Sequence, residues 1–370
     1  MAPKGFYPLL VAQALLLIST ALAGAFAVIY MVKGGDSPVS VSAIYILSFI
    51  VPSALCLAGA RMPVWNSRRW MIPSLSLFAV YFLAVLLLRG WPRILVAGLA
   101  SGVSLYMFWV PYNILIVRLT KRRNRGELMG TVFLLFPLVT AIFPLVGSAL
   151  IVFSGYELLF VVASLVLFAG SLYLALGRQV AHGMVELTPR YREVGKDVLS
   201  GFFLQGTHEG IVLIVIPLLS YELAKNEVAV GGLFSLFALL AGVGVLLAGK
   251  ASDRLGKRRL FVVAGAFASV PLLVLAGTSF DVTRFGIFQS LAAFTLPLAP
   301  VFLFVMSIDR AEGVLEGAIV AREALLNSGR ILGGIVAILS ILYANYHVAL
   351  VSAALPLLAI GAIHVRPEPE

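Results

Sequence analysis

The feature that most limits what this chain can fold into is its succession of apolar runs, each too long for the core of a water-soluble domain. LLVAQALLLISTALAGAFAVIYMV, residues 9 to 32, is one of them. A membrane-crossing helix needs about 20 mostly apolar residues. Twelve stretches qualify, near 6–32, 38–60, 70–88, 92–117, 128–153, 156–177, 197–220, 228–249, 260–279, 284–306, 315–342 and 347–364. The strands of a membrane barrel would alternate polar and apolar over about ten residues, and these runs do not alternate. The composition agrees, with 61% hydrophobic residues and 12% charged, where a soluble domain carries about a quarter charged. The expected fold is an all-α membrane protein of twelve transmembrane helices. MAPKG leads into a span long enough to cross by itself, so no cleaved signal is expected.

The net charge of +10 is explained by topology. Twenty of the 27 Lys and Arg residues fall in alternate loops and the two tails, among them Arg68, Arg69, Arg118, Lys121, Arg122 and Arg123. The opposite loops hold five, namely Lys33, Arg89, Arg93, Lys225 and Arg284, and Arg322 and Arg330 lie inside a span. The positive-inside rule then puts both termini in the cytoplasm, and no nucleic-acid partner is required. Cys56 is the single cysteine, which excludes a disulfide framework and a cysteine metal site. No cofactor is expected.

The longest polar interruption, RQVAHGMVELTPRYREVGKD, begins at residue 178. It divides the chain into an N-terminal six-helix bundle (1–177), a cytoplasmic linker (178–196) and a C-terminal six-helix bundle (197–370). The halves share weak but matching features. Arg93 opens the fourth span and Arg284 the tenth; FPLVGS (143–148) lies in the fifth and GRILGG (329–334) in the eleventh. Duplicated halves are a known build for transporters, with sites near the midplane where the repeats meet.

Between spans eight and nine stands GKASDRLGKRRL, residues 249–260. It resembles the loop signature of the major facilitator superfamily, with Gly249, Asp253, Arg254, Gly256, Lys257 and Arg258 in the matching positions. Gly256 suits a tight turn and the basic end suits an inner membrane surface. The resemblance implies two pseudo-symmetric six-helix bundles and a secondary transporter with these residues as a cytoplasmic gate. In the first half, GARMPVWNSRRW (59–70) departs from the signature, with Pro63 and Asn66 where its Asp and second Gly would stand, which puts the matching latch on that side in doubt. In the fifth span only Pro144 and Gly147 resemble the family's antiporter motif.

Ionisable groups deep in a span cost about 2.5–3.5 kcal/mol each on insertion scales and commonly face a cavity or one another. Five occur: His208 and Glu209 in span seven, and Arg322, Glu323 and Arg330 in span eleven. At 1.5 Å per residue, and with the two spans entering the membrane near Asp197 and Ala318, Glu209 and Arg330 each lie about 18 Å in. Gln205, His208 and Glu209 share one face, as do Glu323, Asn327 and Arg330. The two faces are expected to look at each other. Glu209 is then either a proton carrier or half of a fixed ion pair with Arg330. His208 either tunes it or bonds to a neighbouring helix. Arg330 either pairs structurally or binds an anionic substrate group. Arg322 and Glu323 lie nearer the cytoplasm and suit an inner ion-pair network. Span four contributes Trp109, Tyr112 and Asn113, span one Gln13 and span ten Gln289 as candidate substrate contacts, and Pro111 is expected to kink span four.

An aromatic wall facing one with Glu and Arg suits a small amphipathic solute. A metalloprotease HExxH would need a second histidine where Val212 stands, and no phosphate-binding loop occurs, so enzymatic chemistry is not expected. The reading is a proton-coupled carrier that exports an amphipathic solute by alternating access. Uptake of an organic anion, and a passive lipid scramblase or channel, stay open as alternatives. The expected partners are substrate, protons and the lipid bilayer, the expected state is a monomer, and the expected location is a prokaryotic plasma membrane.

Overall fold

The computed structural model describes residues 5–58, 65–119, 125–177, 183–185, 187–311 and 313–365, and within these all side chains except those of 65, 125–131, 133, 253 and 254. Gly59, Arg61, Pro63, Lys121, Arg122, Arg123 and Arg178 therefore lie outside the described residues, as do the side chains of Asp253 and Arg254. The chain is helical almost throughout. Its elements are α1 (Phe6–Lys33), α2 (Pro38–Leu57), β1 (Trp65–Asn66), α3 (Ser67–Leu87), α4 (Gly90–Leu119), α5 (Arg125–Leu176), β2 (Met184–Val185), α6 (Tyr191–Val194), α7 (Lys196–Ala224), α8 (Glu227–Leu255), α9 (Arg258–Gly277), α10 (Val282–Thr295), α11 (Leu298–Arg310), α12 (Leu315–Tyr343), α13 (Tyr346–Ser352) and α14 (Ala354–Val365).

Among the described residues eleven segments are long and apolar enough to cross a membrane. The fifth, Leu134–Leu176, holds 43 residues, because the expected fifth and sixth spans meet without a loop. At Gly155 the backbone takes φ 82° and ψ 175°, a conformation open to glycine, and it turns the chain there. The second leg returns alongside α1 and α3. Ser19 Oγ donates to the Ala163 carbonyl at 2.8 Å and Ser171 Oγ to that of Ile72 at 2.7 Å. The expected tenth span is α10 and α11, interrupted at Leu296 and Pro297, and the twelfth is α13 and α14, interrupted at Ala353. Pro111 does not break its helix; α4 is assigned continuously through it, as membrane helices tolerate a proline whose freed carbonyl finds another partner.

Helix starts follow local chemistry. Ser37 caps α2, with Pro38 in its first turn, and Asn226 caps α8 by accepting from the Val228 and Ala229 amides at 2.7 and 3.2 Å. The helices α1 to α5 pack among themselves, α7 to α14 do likewise, and the two sets meet along two long seams, α2 with α12 and α5 with α8. On the first seam Ser53 and Ser328 hydrogen-bond at 2.7 Å. The alternate loops gather at opposite ends of the bundle. One end, here the basic end, carries β1, β2, α6 and the start of α12, and the opposite end carries Lys33, Tyr156 and Glu227.

Candidate functional site

The site is built on a close crossing of α7 and α12. Gly206 and Gly210 stand four residues apart on α7, and Gly329 and Gly333 stand four apart on α12. A Cβ on Gly206 would lie 2.0 Å from the Leu326 carbonyl oxygen, and one on Gly210 2.2 Å from that of Arg330. Reciprocally, a Cβ on Gly329 would lie 2.0 Å from the Phe203 carbonyl oxygen, and one on Gly333 2.1 Å from that of Thr207. The backbones thus touch, as small residues at four-residue spacing allow in lipid. This crossing was not anticipated above, although the Gly-x-x-x-Gly spacing on both helices was its available signal. The repeat noted between FPLVGS and GRILGG has a counterpart here. A Cβ on Gly147 would lie 2.1 Å from the Leu22 carbonyl oxygen of α1, as one on Gly333 would from that of Thr207 on α7.

The crossing sets two charged side chains face to face near the middle of two 29-residue helices. Arg330 donates through Nε and Nη2 to Glu209 Oε2, at 2.8 and 2.5 Å. Gln205 Nε2 donates to the other carboxylate oxygen at 2.7 Å. Arg330 Nη1 also reaches Asn327 Oδ1 at 3.1 Å, and its guanidinium lies 5.4 Å from the Phe49 ring on α2. Asn327 then donates to the Glu323 carbonyl at 2.7 Å, and Glu323 pairs with Arg322. Arg322 lies between the rings of Phe202 and Phe304, 5.3 and 4.8 Å away, a stacked position suited to a guanidinium. Gln205, Glu209, Arg330, Asn327, Glu323 and Arg322 therefore form one continuous polar chain. The Glu209 and Arg330 side chains keep 25% and 21% exposure, while the Gln205 Oε1 atom is buried without a hydrogen-bond partner.

The other predicted residues lie outside this polar chain. His208 is buried and its Nδ1 lies 2.9 Å from the Ala353 carbonyl oxygen, at the break between α13 and α14. Replacing it with alanine leaves that carbonyl unpaired. We expect His208→Ala to lower stability by about 1–2 kcal/mol in thermal unfolding and to leave the pH profile of transport where it was. Tyr112 Oη donates to Gln13 Oε1 at 2.5 Å and its ring stacks on Phe108 at 5.5 Å between centroids, so this pair joins α4 to α1. Trp109 and Asn113 are half-buried beside it. Gln289 is buried on α10, and its Oε1 is unpartnered.

In the basic loop Gly256 takes φ 65° and closes α8, its amide donating to the Ser252 carbonyl at 2.8 Å. Arg258 pairs with Asp309 of α11, and Arg259 Nε donates to the His364 carbonyl at 2.6 Å. Lys257 precedes α9 and Gly249 faces open space. The loop thus ties α9 to the basic ends of α11 and α14. Each end of the bundle also holds an ion pair between the two sets: Arg118 with Glu316 at the basic end, and Lys33 with Glu227, 2.6 Å apart, at the other. Tyr156 Oη donates to the same Glu227 oxygen at 2.9 Å. The polar chain lies between two bridged ends.

The profile of the Major Facilitator Superfamily matches residues 9–190 and 198–370. The uncharacterized protein YqgE of Bacillus subtilis (strain 168) is 26% identical over 349 residues, covering 89% of this chain and 80% of the relative. The uncharacterized MFS-type transporter MJ1317 of Methanocaldococcus jannaschii is 26% identical over 187 residues, 48% of this chain and 47% of the relative. Among solved structures, the human organic anion transporter MFSD10 (TETRAN) aligns with TM-score 0.71 and 14% identity, covering 97% of this chain and 98% of that one. A POT family transporter in complex with a thioalcohol-conjugated peptide aligns with TM-score 0.75 and 12% identity, covering 98% and 94%. At these identities the structural likeness speaks to the fold.

Proposed function

The chain belongs to the major facilitator superfamily, a family of multi-pass secondary transporters and not of enzymes, and from that premise we propose that it carries a small amphipathic organic solute out of the cell in exchange for protons. The observation that supports this reading is the Glu209 carboxylate, held near mid-helix between Arg330 and Gln205 with a quarter of its side chain exposed. A carboxylate so placed has two competing partners, the arginine and a proton. A solute that presses Arg330 onto the carboxylate favours its charged form and expels the proton. Loading of solute and release of the proton are thereby linked through one guanidinium. Rocking of the two bundles, 1–177 and 197–370, about this site gives alternating access. With twenty of its 27 Lys and Arg residues on one side, both termini are cytoplasmic; the short loops suit a prokaryotic plasma membrane, and the carrier works there as a monomer.

A second reading rests on Arg330. Its planar fork, partly exposed beside Phe49, suits a carboxylate that takes the place of Glu209, which describes uptake of an organic anion. One measurement separates these carriers from a passive pore. In proteoliposomes, a solute found by a binding screen on the purified protein is expected to accumulate against its gradient under an imposed pH difference and to run down when a protonophore is added. Accumulation indifferent to the protonophore removes proton coupling, and equilibration without accumulation favours the pore. The sign of the pH difference that drives accumulation distinguishes export from uptake.

A further inference from the structure

The segment joining the two bundles is not only a tether. Met184 and Val185 pair antiparallel with Asn66 and Trp65. Ser67 N donates to the Gly183 carbonyl and Gly183 N to Ser67 Oγ, each at 3.0 Å. These bonds fix the segment to the head of α3. Arg118 Nη1 adds a bond to the Met184 carbonyl at 2.9 Å while its other nitrogen pairs with Glu316. Further along, Arg190 N donates to the Gly317 carbonyl of α12 at 2.9 Å. The segment lies so close there that a Cβ on Gly317 would stand 2.2 Å from Arg190 Cγ and 2.6 Å from the Thr188 carbonyl oxygen.

Between these two attachments Val185 and Leu187 are buried, 2% and 3% exposed. They share an apolar cluster with Cys56 of α2, Tyr106, Val110 and Ile114 of α4, and Ile319, Val320 and Ala324 of α12. Val185 and Leu187 therefore occupy the basic end of the seam between the sets. A basic-end opening separates α2 and α4 from α12, so the segment must let go of one side. On the α3 side it holds a strand pair and reciprocal bonds with Ser67; on the α12 side the described residues show a backbone bond from Arg190 and the apolar contact.

We infer that residues 183–185 and 187–190 form a strap that seals the basic end of the seam, stays with α3 when that end opens, and releases α12. It stands beside the loop where the first half departs from the signature, with Asn66 in place of its second glycine. The inference rests on the alternating-access reading but not on proton coupling or on Glu209.

Cys56 is the only cysteine of the chain and is fully buried in the sealed cluster, so its reaction with N-ethylmaleimide reports the seal directly. In the full-length protein in membranes, Gly317→Ala lifts the strap off α12 while suiting the helix better than glycine, and Leu187→Asn places an amide in the apolar cluster. Each is expected to raise the labelling rate at least about tenfold through a more populated opening. Gly232→Ala, where an added Cβ meets nothing within 4 Å, is expected to label like the wild type. Wild-type labelling rates in Gly317→Ala and Leu187→Asn, with both eluting as the wild type does, overturn the strap. If both variants misfold, Asn66→Cys with Met184→Cys in a Cys56→Ser background decides. These are facing strand partners and are expected to cross-link on mild oxidation; absence of the cross-link overturns the strap. No arm measures transport, so its failure leaves the proton-coupling reading standing, and the reverse holds.

Discussion

Glu209→Gln is expected to abolish proton-driven accumulation in proteoliposomes while exchange of solute down its gradient continues. The amide keeps the size of the carboxylate, and its oxygen can still accept from Arg330 while its NH2 donates to a flipped Gln205 amide, but it carries no titratable proton at any working pH. The loss is expected to be complete within detection, with substrate-induced alkalinisation or acidification of the vesicle lumen disappearing at the same time. Proton flux unchanged in Glu209→Gln vesicles that still transport removes the coupling role.

The partner substitution separates coupling from folding. Breaking a fully buried ion pair costs about 3–5 kcal/mol because one charge is left uncompensated. Glu209 and Arg330 retain 25% and 21% side-chain exposure, which allows some water to remain, so Arg330→Ala is expected near the low end of that range. Replacing both charges removes the uncompensated group. Glu209→Gln with Arg330→Gln is therefore expected to recover most of the thermal stability lost by either single change and none of the proton-driven accumulation. If the pair were only a fixed structural bridge, the double variant would recover both. Asn327 makes the comparison more informative, because it joins Arg330 to the Glu323 and Arg322 pair. A disturbance confined to Glu209 and Arg330 would leave the Arg322 contact with Phe304 in place.

Much of this arrangement could be read from residue order, for identifiable reasons. The span lengths follow from hydropathy, since lipid demands an unbroken apolar stretch, and Glu209 and Arg330 stood out as charges inside such stretches. Depth and spacing turn their two faces toward each other, but leave open whether the side chains pair. Helix contacts that depend on which element lies beside which were less accessible. The glycines at 206, 210, 329 and 333 are visible in the sequence, but only the fold shows that the two spacings meet. Tyr112 and Gln13 show a contact that spacing alone does not give. An aromatic ring and an amide in cavity-lining spans suggested a substrate wall, and their hydrogen bond at 2.5 Å joins α4 to α1. The strap was hidden because a two-residue strand carries no periodicity and the segment around Val185 and Leu187 is polar enough to read as a tether.

The glycine crossing carries the second large expected effect. At Gly206, Gly210, Gly329 and Gly333 the atom nearest an added Cβ is a backbone carbonyl oxygen, 2.0 to 2.2 Å away. No side-chain rotamer can relieve such a contact, so α7 and α12 must move apart. Overpacking ordinarily costs about 1–3 kcal/mol and occasionally more, and a backbone-to-backbone clash belongs at the upper end. Gly210→Ala and Gly329→Ala are each expected to lower stability by about 3 kcal/mol in thermal unfolding followed by size exclusion, despite alanine being the better helix former. The chemical effect should exceed the stability effect. Gly210 follows Glu209 and Gly329 precedes Arg330, so parting the helices stretches the 2.5 and 2.8 Å bonds between those side chains. Proton-driven accumulation is expected to fall in any fraction of Gly329→Ala that remains folded, although neither charged group has been altered. Gly232→Ala on α8, with open space around the added Cβ, is expected to change neither property. Wild-type stability and accumulation in Gly329→Ala would mean that the two helices do not cross at this distance, and the Glu209 and Arg330 geometry would lose its structural basis.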